Sequence, residues 1–257
     1  MRIALGVEYD GAQFHGWQKQ TGLRTVQALI ESAIGQVAQE NIEVVCAGRT
    51  DTGVHASGQV IHFDSLVERS MRSWVHGANN YLPQDVSVLW AKKVSEDFHA
   101  RYSAESRTYR YIICDQPIRP ALFRGNVTWH YRALDSEKMG EAAAYLIGEH
   151  DFTSFRSSDC QSLSPMRHVK KISVTRHKGH IKIEITANAF LHHMVRNIAG
   201  VLMTVGNGKQ EASWVKQVLE AKDRRLGAET APPYGLYLTY VQYPSVHQIP
   251  ESMLTFF

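Results

Sequence analysis

The ten residues Ala47-Gly48-Arg49-Thr50-Asp51-Thr52-Gly53-Val54-His55-Ala56 constrain this chain more than any other stretch. The apolar run Val44-Val45-Cys46 precedes them and the alternating run Gly58-Gln59-Val60-Ile61-His62-Phe63 follows, so two strands must be joined across a turn. Asp and Gly favour turns for local reasons: side-chain bonding to the backbone, and access to positive φ. An ordinary turn is therefore sufficient reason for those residues. A chemical reading stands beside it: the turn presents one carboxylate, Asp51, flanked by Thr50 and Thr52 and two residues after Arg49. Neighbouring donors and positive charge would keep such a carboxylate ionised and fit it for work as a nucleophile or base.

A chain of 257 residues is long enough for one large domain or two ordinary ones. With 44% hydrophobic and 21% charged residues it is globular in composition. No apolar run approaches the roughly 18 residues of a membrane helix, and the N-terminus gains acids too early for a signal peptide. The three cysteines, Cys46, Cys114 and Cys160, are scattered and odd in number. That argues against a disulfide framework and for a reducing cytoplasm. No Cys-x-x-Cys pair occurs; His192 and His193 are adjacent rather than one helical turn apart and have no third ligand nearby in sequence, so no metal site is expected. Charge is uneven. Residues 101–132 hold six arginines against Glu105 and Asp115, and residues 156–182 hold seven bases against Asp159. A polyanion lying on the middle of the chain would explain this, and so would an ordinary solvated basic face.

In chain order, residues 1–10 read as a strand, followed by the loop Gly11–Gly22, rich in Gly, Gln and aromatics. Thr25 is placed to cap a helix over 26–37, whose apolar residues fall at helical spacing. After the strand pair around Asp51 come a helix over 70–80 and a strand over 86–94. The order strand, helix, strand, strand, helix, strand predicts an α+β module of the ferredoxin or RNA-recognition type. Residues 107–114 alternate as a strand with Arg107, Tyr109 and Tyr111 on one face, where guanidiniums can meet phosphates and rings can stack on bases. A boundary near 104 divides the chain into residues 1–104 and 105–257.

The second part reads as strand (125–131), helix (136–146), a Ser-rich basic loop over 157–168, and strands over 169–177 and 180–187 joined at Lys178-Gly179. A helix over 190–205 follows, with Leu191, Met194, Val195, Ile198, Val201, Leu202 and Val205 in one apolar stripe and Arg196 opposite it. Ala231 through Leu238 lead into a last strand that runs through Tyr243. The tail over 245–257 carries no functional signal.

Five motifs in order turn these patterns into a resemblance. Tyr9-Asp10-Gly11, Phe14 and Gly16-Trp17-Gln18; Gly48 through Ala56; Arg107 through Tyr111; Phe190-Leu191, Met194-Val195-Arg196 and Gly200; and Ala231 through Leu238 together resemble the TruA family of tRNA pseudouridine synthases over about residues 6–243. The resemblance implies two ferredoxin- or RRM-like α/β subdomains with antiparallel sheets around a central cleft. It implies conversion of uridine to pseudouridine at positions 38, 39 and 40 of the tRNA anticodon stem-loop, by a homodimer in which one tRNA touches both subunits. Asp51 takes the catalytic position, Tyr109 lies against the target uracil, Arg196 pairs with the Asp, and Leu236 or Leu238 walls the pocket. Arg49 or Arg196 would hold Asp51 ionised. Isomerisation moves no electrons and uses no group donor, so no cofactor is implied. Two other classes suit parts of the pattern: a non-catalytic RNA-binding protein, which leaves Asp51 without a task, and an aspartate-based hydrolase, which lacks a second acid.

Overall fold

The computed structural model describes residues 1–251; the end of the tail, 252–257, lies outside the described residues. The described chain folds as two compact units, residues 1–107 with 237–251, and residues 108–236.

The first unit begins with β1 (Arg2–Tyr9), α1 (Val26–Ala38), β2 (Val45–Cys46), β3 (His55–Asp64), α2 (Met71–Tyr81) and β4 (Val86–Val94). β3 and β4 flank β1 in antiparallel pairing, and β2 adds antiparallel to β3. Ile3, Ala4, Leu5 and Val7 are fully buried, as the continuous apolar run of a central strand requires. α1 and α2 pack on one another and α2 lies on β4. The start of α1 differs from the expectation. Thr25 occupies the capping position, but its buried hydroxyl bonds to nothing. The amides of Val26 and Gln27 donate instead to the carbonyls of Gly16 and Trp17, at 3.3 and 3.0 Å. Once a neighbouring loop supplies acceptors, the orphan donors of a helix no longer need a side-chain cap.

β5 (Ser106–Asp115) runs out of the first unit into the second, where β6 (Thr128–His130), α3 (Ser136–Ala144), β7 (Gly148–Asp151), β8 (Met166–His177), β9 (His180–Ala187), α4 (Met194–Gly206) and α5 (Trp214–Ala221) follow. The strand order is β5-β9-β8-β7, with β6 parallel to β5 and the β7–β8 and β8–β9 pairs antiparallel. Lys178 and Gly179 both take positive φ, the turn that a two-residue hairpin needs. α3 covers β8 and meets α4 and α5. β7 and α5 were not among the expected elements, although Val215, Val218 and Leu219 of α5 are buried at helical spacing. α4 starts at Met194 rather than 190, because His193 adopts a left-handed φ of 63° and Met194 closes a turn onto Leu191.

The last strand, β10 (Leu236–Gln242), pairs in parallel with β3, Tyr237 opposite His55 and Leu238 opposite Ala56. This pairing returns the chain's end to the first unit, whereas the sequence reading put everything after 104 in the second. Tyr243 then donates from its hydroxyl to the Ala100 carbonyl at 2.6 Å. Both units are mixed α/β with mostly antiparallel strands. Among the described residues no helix is long and apolar enough to cross a membrane.

His62 of β3 is buried against Phe98 and His99, and its Nδ1 accepts from the Ala100 amide at 3.1 Å. Burial first, then the His99 and Arg2 charges, lower its pKa from 6.5 to about 4. The unfolded chain binds this proton below pH 6.5 while the folded chain resists until about 4, so stability falls as the pH drops through that window. Between pH 7 and 5 the loss from this one group should be on the order of 1–2 kcal/mol. Urea midpoints at both pH values check it: His62→Gln should narrow the difference seen in the wild type.

Candidate active site

The turn that carries Asp51 has few bonds of its own and many from outside it. Inside, the Val54 amide donates to the Asp51 carbonyl at 3.1 Å and Gly53 takes φ +77°, the geometry of a tight turn with glycine at its third position. From outside, the glycine- and aromatic-rich loop after β1 lies along it. The Trp17 amide donates to the Thr50 carbonyl at 2.9 Å, and the Gly53 amide donates to the Phe14 carbonyl at 3.3 Å. Phe14 and Trp17 are themselves almost wholly buried, so these rings anchor the loop rather than waiting in solvent for a base. Backbone can approach this closely only where side chains are missing. A β-carbon on Gly16 would lie 2.8 Å from the Thr50 oxygen, and one on Gly11 would lie 1.9 Å from the Val54 oxygen.

Beneath the turn is a buried polar network. The Tyr9 hydroxyl and Thr50 Oγ1 are 2.8 Å apart. Gln59 of β3, fully buried, donates from Nε2 to the Gly48 carbonyl at 2.7 Å and accepts from the Gly48 amide at 3.4 Å. Arg107, also buried, donates from Nε and Nη2 to the Ala47 carbonyl at 3.3 and 3.0 Å, and from Nη1 to the Ala104 carbonyl at 3.2 Å. Past the turn, His55 is buried; its Nδ1 accepts from the Gly11 amide at 3.0 Å and its ring stacks on Tyr237 at 4.5 Å. Asp51 itself is half-buried and Arg49 is exposed.

In the second unit, Tyr109 is buried with its ring edge-on to Phe190, centroids 4.9 Å apart. Arg107, Tyr109 and Tyr111, which alternate along β5, are thus all buried side chains. Tyr111 donates to the Pro232 carbonyl at 2.8 Å and shares a hydrogen bond with Thr128 at 2.6 Å, and its burial raises its pKa. Arg196 is half-buried rather than plain surface. Its Nε donates to the Ala231 carbonyl at 2.9 Å while the Ala231 amide donates to the Arg196 carbonyl at 3.2 Å. Next to it, the buried Asn197 donates to the Phe155 carbonyl and accepts from Arg224 and Thr230. Leu236 and Leu238 are both buried.

Tyr9 stands in the sequence only as part of a motif, with no role assigned, and Gln59 belongs to no motif. The signal was there for Gln59: at strand period it shares a face with Ile61 and Phe63, and a lone amide in an apolar set needs a buried partner.

The family model described as tRNA pseudouridine synthase matches residues 6–103 and 142–244. This chain belongs to the tRNA pseudouridine synthase family. A tRNA pseudouridine synthase A from Legionella pneumophila (strain Lens) is 63% identical over 244 residues, covering 95% of this chain and 93% of the relative. Proteins of the same name from Alcanivorax borkumensis and Coxiella burnetii (strain Dugway 5J108-111) are 55% and 54% identical, covering 98% of this chain and 95% and 97% of their own lengths. As a member of the family the chain is an enzyme, an isomerase acting on uridine in tRNA.

Gly16→Ala tests the packing of the loop on the turn. With φ +82° and the Thr50 carbonyl in the way, the variant should lose about 2 kcal/mol or more of stability. Displacement of the turn should also cut pseudouridine formation at least about tenfold. Denaturant titration and a tRNA assay on the folded variant read the two effects separately.

Proposed function

We propose that this enzyme converts uridine to pseudouridine at positions 38, 39 and 40 of the tRNA anticodon stem-loop, with Asp51 as its nucleophile and no cofactor. The observation that carries the reading is the placing of one half-buried carboxylate on a turn held by backbone and buried side chains alike. Such rigidity costs an ordinary surface turn for nothing, whereas a reacting group gains from it, since a fixed nucleophile spends no entropy on finding its target.

In the reaction the bond from uracil N1 to the sugar C1′ breaks, the ring turns, and a bond from C5 to C1′ forms as the C5 proton leaves. Three first steps use the same carboxylate: attack at C1′, attack at C6 of the base, and removal of the 2′ proton. An aspartate is already ionised at neutral pH, so Asp51 needs orienting more than activating. We assign that task to Arg196, whose own direction is fixed by the Ala231 carbonyl. Tyr109 stacks on the uracil, Leu236 closes the pocket with apolar surface, and the exposed Arg49 meets the RNA backbone. A stacked base must leave its helix to be reached, so the enzyme flips the uridine. The exposed Arg119, Arg124 and Arg132, with Lys170, Lys171 and Lys178, supply the phosphate contacts. We further read both units as ferredoxin- or RRM-like modules and the working enzyme as a cytoplasmic homodimer with each tRNA touching both subunits.

Pseudouridine mapped by position in unmodified tRNA is the test. The wild type should modify 38–40; Asp51→Ala should form none while its tRNA affinity stays within about threefold. Binding by the wild type without any pseudouridine would replace the catalytic reading with that of an RNA-binding module.

A further inference from the structure

Arg107 has no task in the reaction as described, yet it is a guanidinium buried to 8% exposure in a place where charge is expensive. Its donors do not spread over solvent. Nε and Nη2 converge on one acceptor, the Ala47 carbonyl, at 3.3 and 3.0 Å. Nη1 and Nη2 reach the carbonyls of Ala104 and Arg101 in the segment just before β5. One side chain therefore ties two stretches of backbone together, and one of them leads straight into the turn that carries Asp51. Gln59 takes over one residue later, holding both the amide and the carbonyl of Gly48. From Ala47 to Thr50 the approach to Asp51 is thus fixed in turn by Arg107, Gln59 and Tyr9.

We propose that Arg107 is a positioning residue for the isomerisation, fixing the Asp51 turn through the Ala47 carbonyl in concert with Gln59. The inference rests on the reading of Asp51 as the nucleophile. A flat fork with donors at fixed angles suits the work: two N–H groups of one plane reach Ala47 while the others reach 101 and 104. A lysine offers one ammonium at the end of a flexible stem and cannot span the same three acceptors in one geometry. The consequence is specific. Weakening the clamp should leave tRNA binding intact, because the exposed bases that meet phosphate are elsewhere. It should slow the chemical step, because the carboxylate then samples geometries from which it cannot attack.

Arg107→Lys, Gln59→Met and Asp51→Asn are compared with the wild type. Single-turnover rates on unmodified tRNA, tRNA affinity by filter binding, and thermal midpoints are measured, with rates taken well below each midpoint. Arg107→Lys should lower the single-turnover rate about 10- to 100-fold with tRNA affinity within about twofold, and Gln59→Met should do the same to a smaller degree. Added guanidinium should restore part of the rate to a folded Arg107→Ala but not to Gln59→Met. A folded Arg107→Lys with the wild-type rate, or one whose loss lies in tRNA affinity, overturns the inference. If Arg107→Lys does not fold, Gln59→Met decides by the same two readouts. If Asp51→Asn keeps its turnover, the nucleophile reading falls and the inference with it; if Asp51→Asn is inactive and Arg107→Lys is not slowed, the inference alone falls.

Discussion

The stretch from Ala47 to Val54 is held largely by hydrogen bonds to the buried side chains of Tyr9, Gln59 and Arg107 and to the backbone of Phe14 and Trp17. Tyr9 on Thr50 is a buried pair, and Gln59, itself fully buried, holds the half-buried Gly48. A buried polar group left unmade costs about 1–3 kcal/mol, so these pairs do not break one at a time at little cost. They set the path of the chain into the turn, and the Phe14 and Trp17 backbone groups set its outer side. Much of the first unit exists to make this possible: β1 brings Tyr9, β3 brings Gln59, and α1 gives its first amides to the same loop that braces the turn. The rigidity of this turn is supplied by several distant parts of the sequence.

Glycine and aromatic residues in the loop after β1 act differently from what their types alone suggest. Glycines there permit backbone to lie on backbone, which explains Gly11 and Gly16 by geometry alone. Phe14 and Trp17 fill the core beneath, with the Arg24 guanidinium 4.1 Å from the Phe14 ring centroid. The loop is a buttress. Glu31 of α1 completes it by accepting from Lys19 at 3.0 Å and from the Val44 amide at 3.2 Å, pinning the loop and the entry to β2 to one helix.

The basic segments also divide once burial is known. Arg107 is internal, Arg110 is paired with Glu184 at 2.7 Å, and Arg176 forms a two-pronged pair with Asp115 at 2.8 and 2.6 Å. Part of the positive charge that the sequence sets aside for a polyanion is thus committed to the fold. Arg101, Arg119, Arg124 and Arg132 are what remains at the surface of the 101–132 segment, the last three in a stretch that also exposes Ile118, Leu122, Phe123 and Tyr131.

Local pattern determined the strands and helices whose periodicity is strong, and it determined the Asp51 turn, because a carboxylate and a glycine between two strand-like runs leave the backbone few alternatives. β4 and β9 lie where alternation places them, and Lys178-Gly179 makes the hairpin that its length demands. The family, too, was legible, since its motifs are local strings. What the sequence could not decide is which side of each element meets the core. Alternation put Arg107, Tyr109 and Tyr111 together without saying that all three are buried, and helical spacing set Arg196 opposite the apolar stripe without showing that a loop from Glu229 to Ala231 covers that side. Nor did local pattern return β10 to β3, which takes a pairing across about 180 residues, or leave Thr25 without its cap bond. Each of these is settled by groups far apart in the chain competing for the same partners, and that competition exists only once the chain has folded.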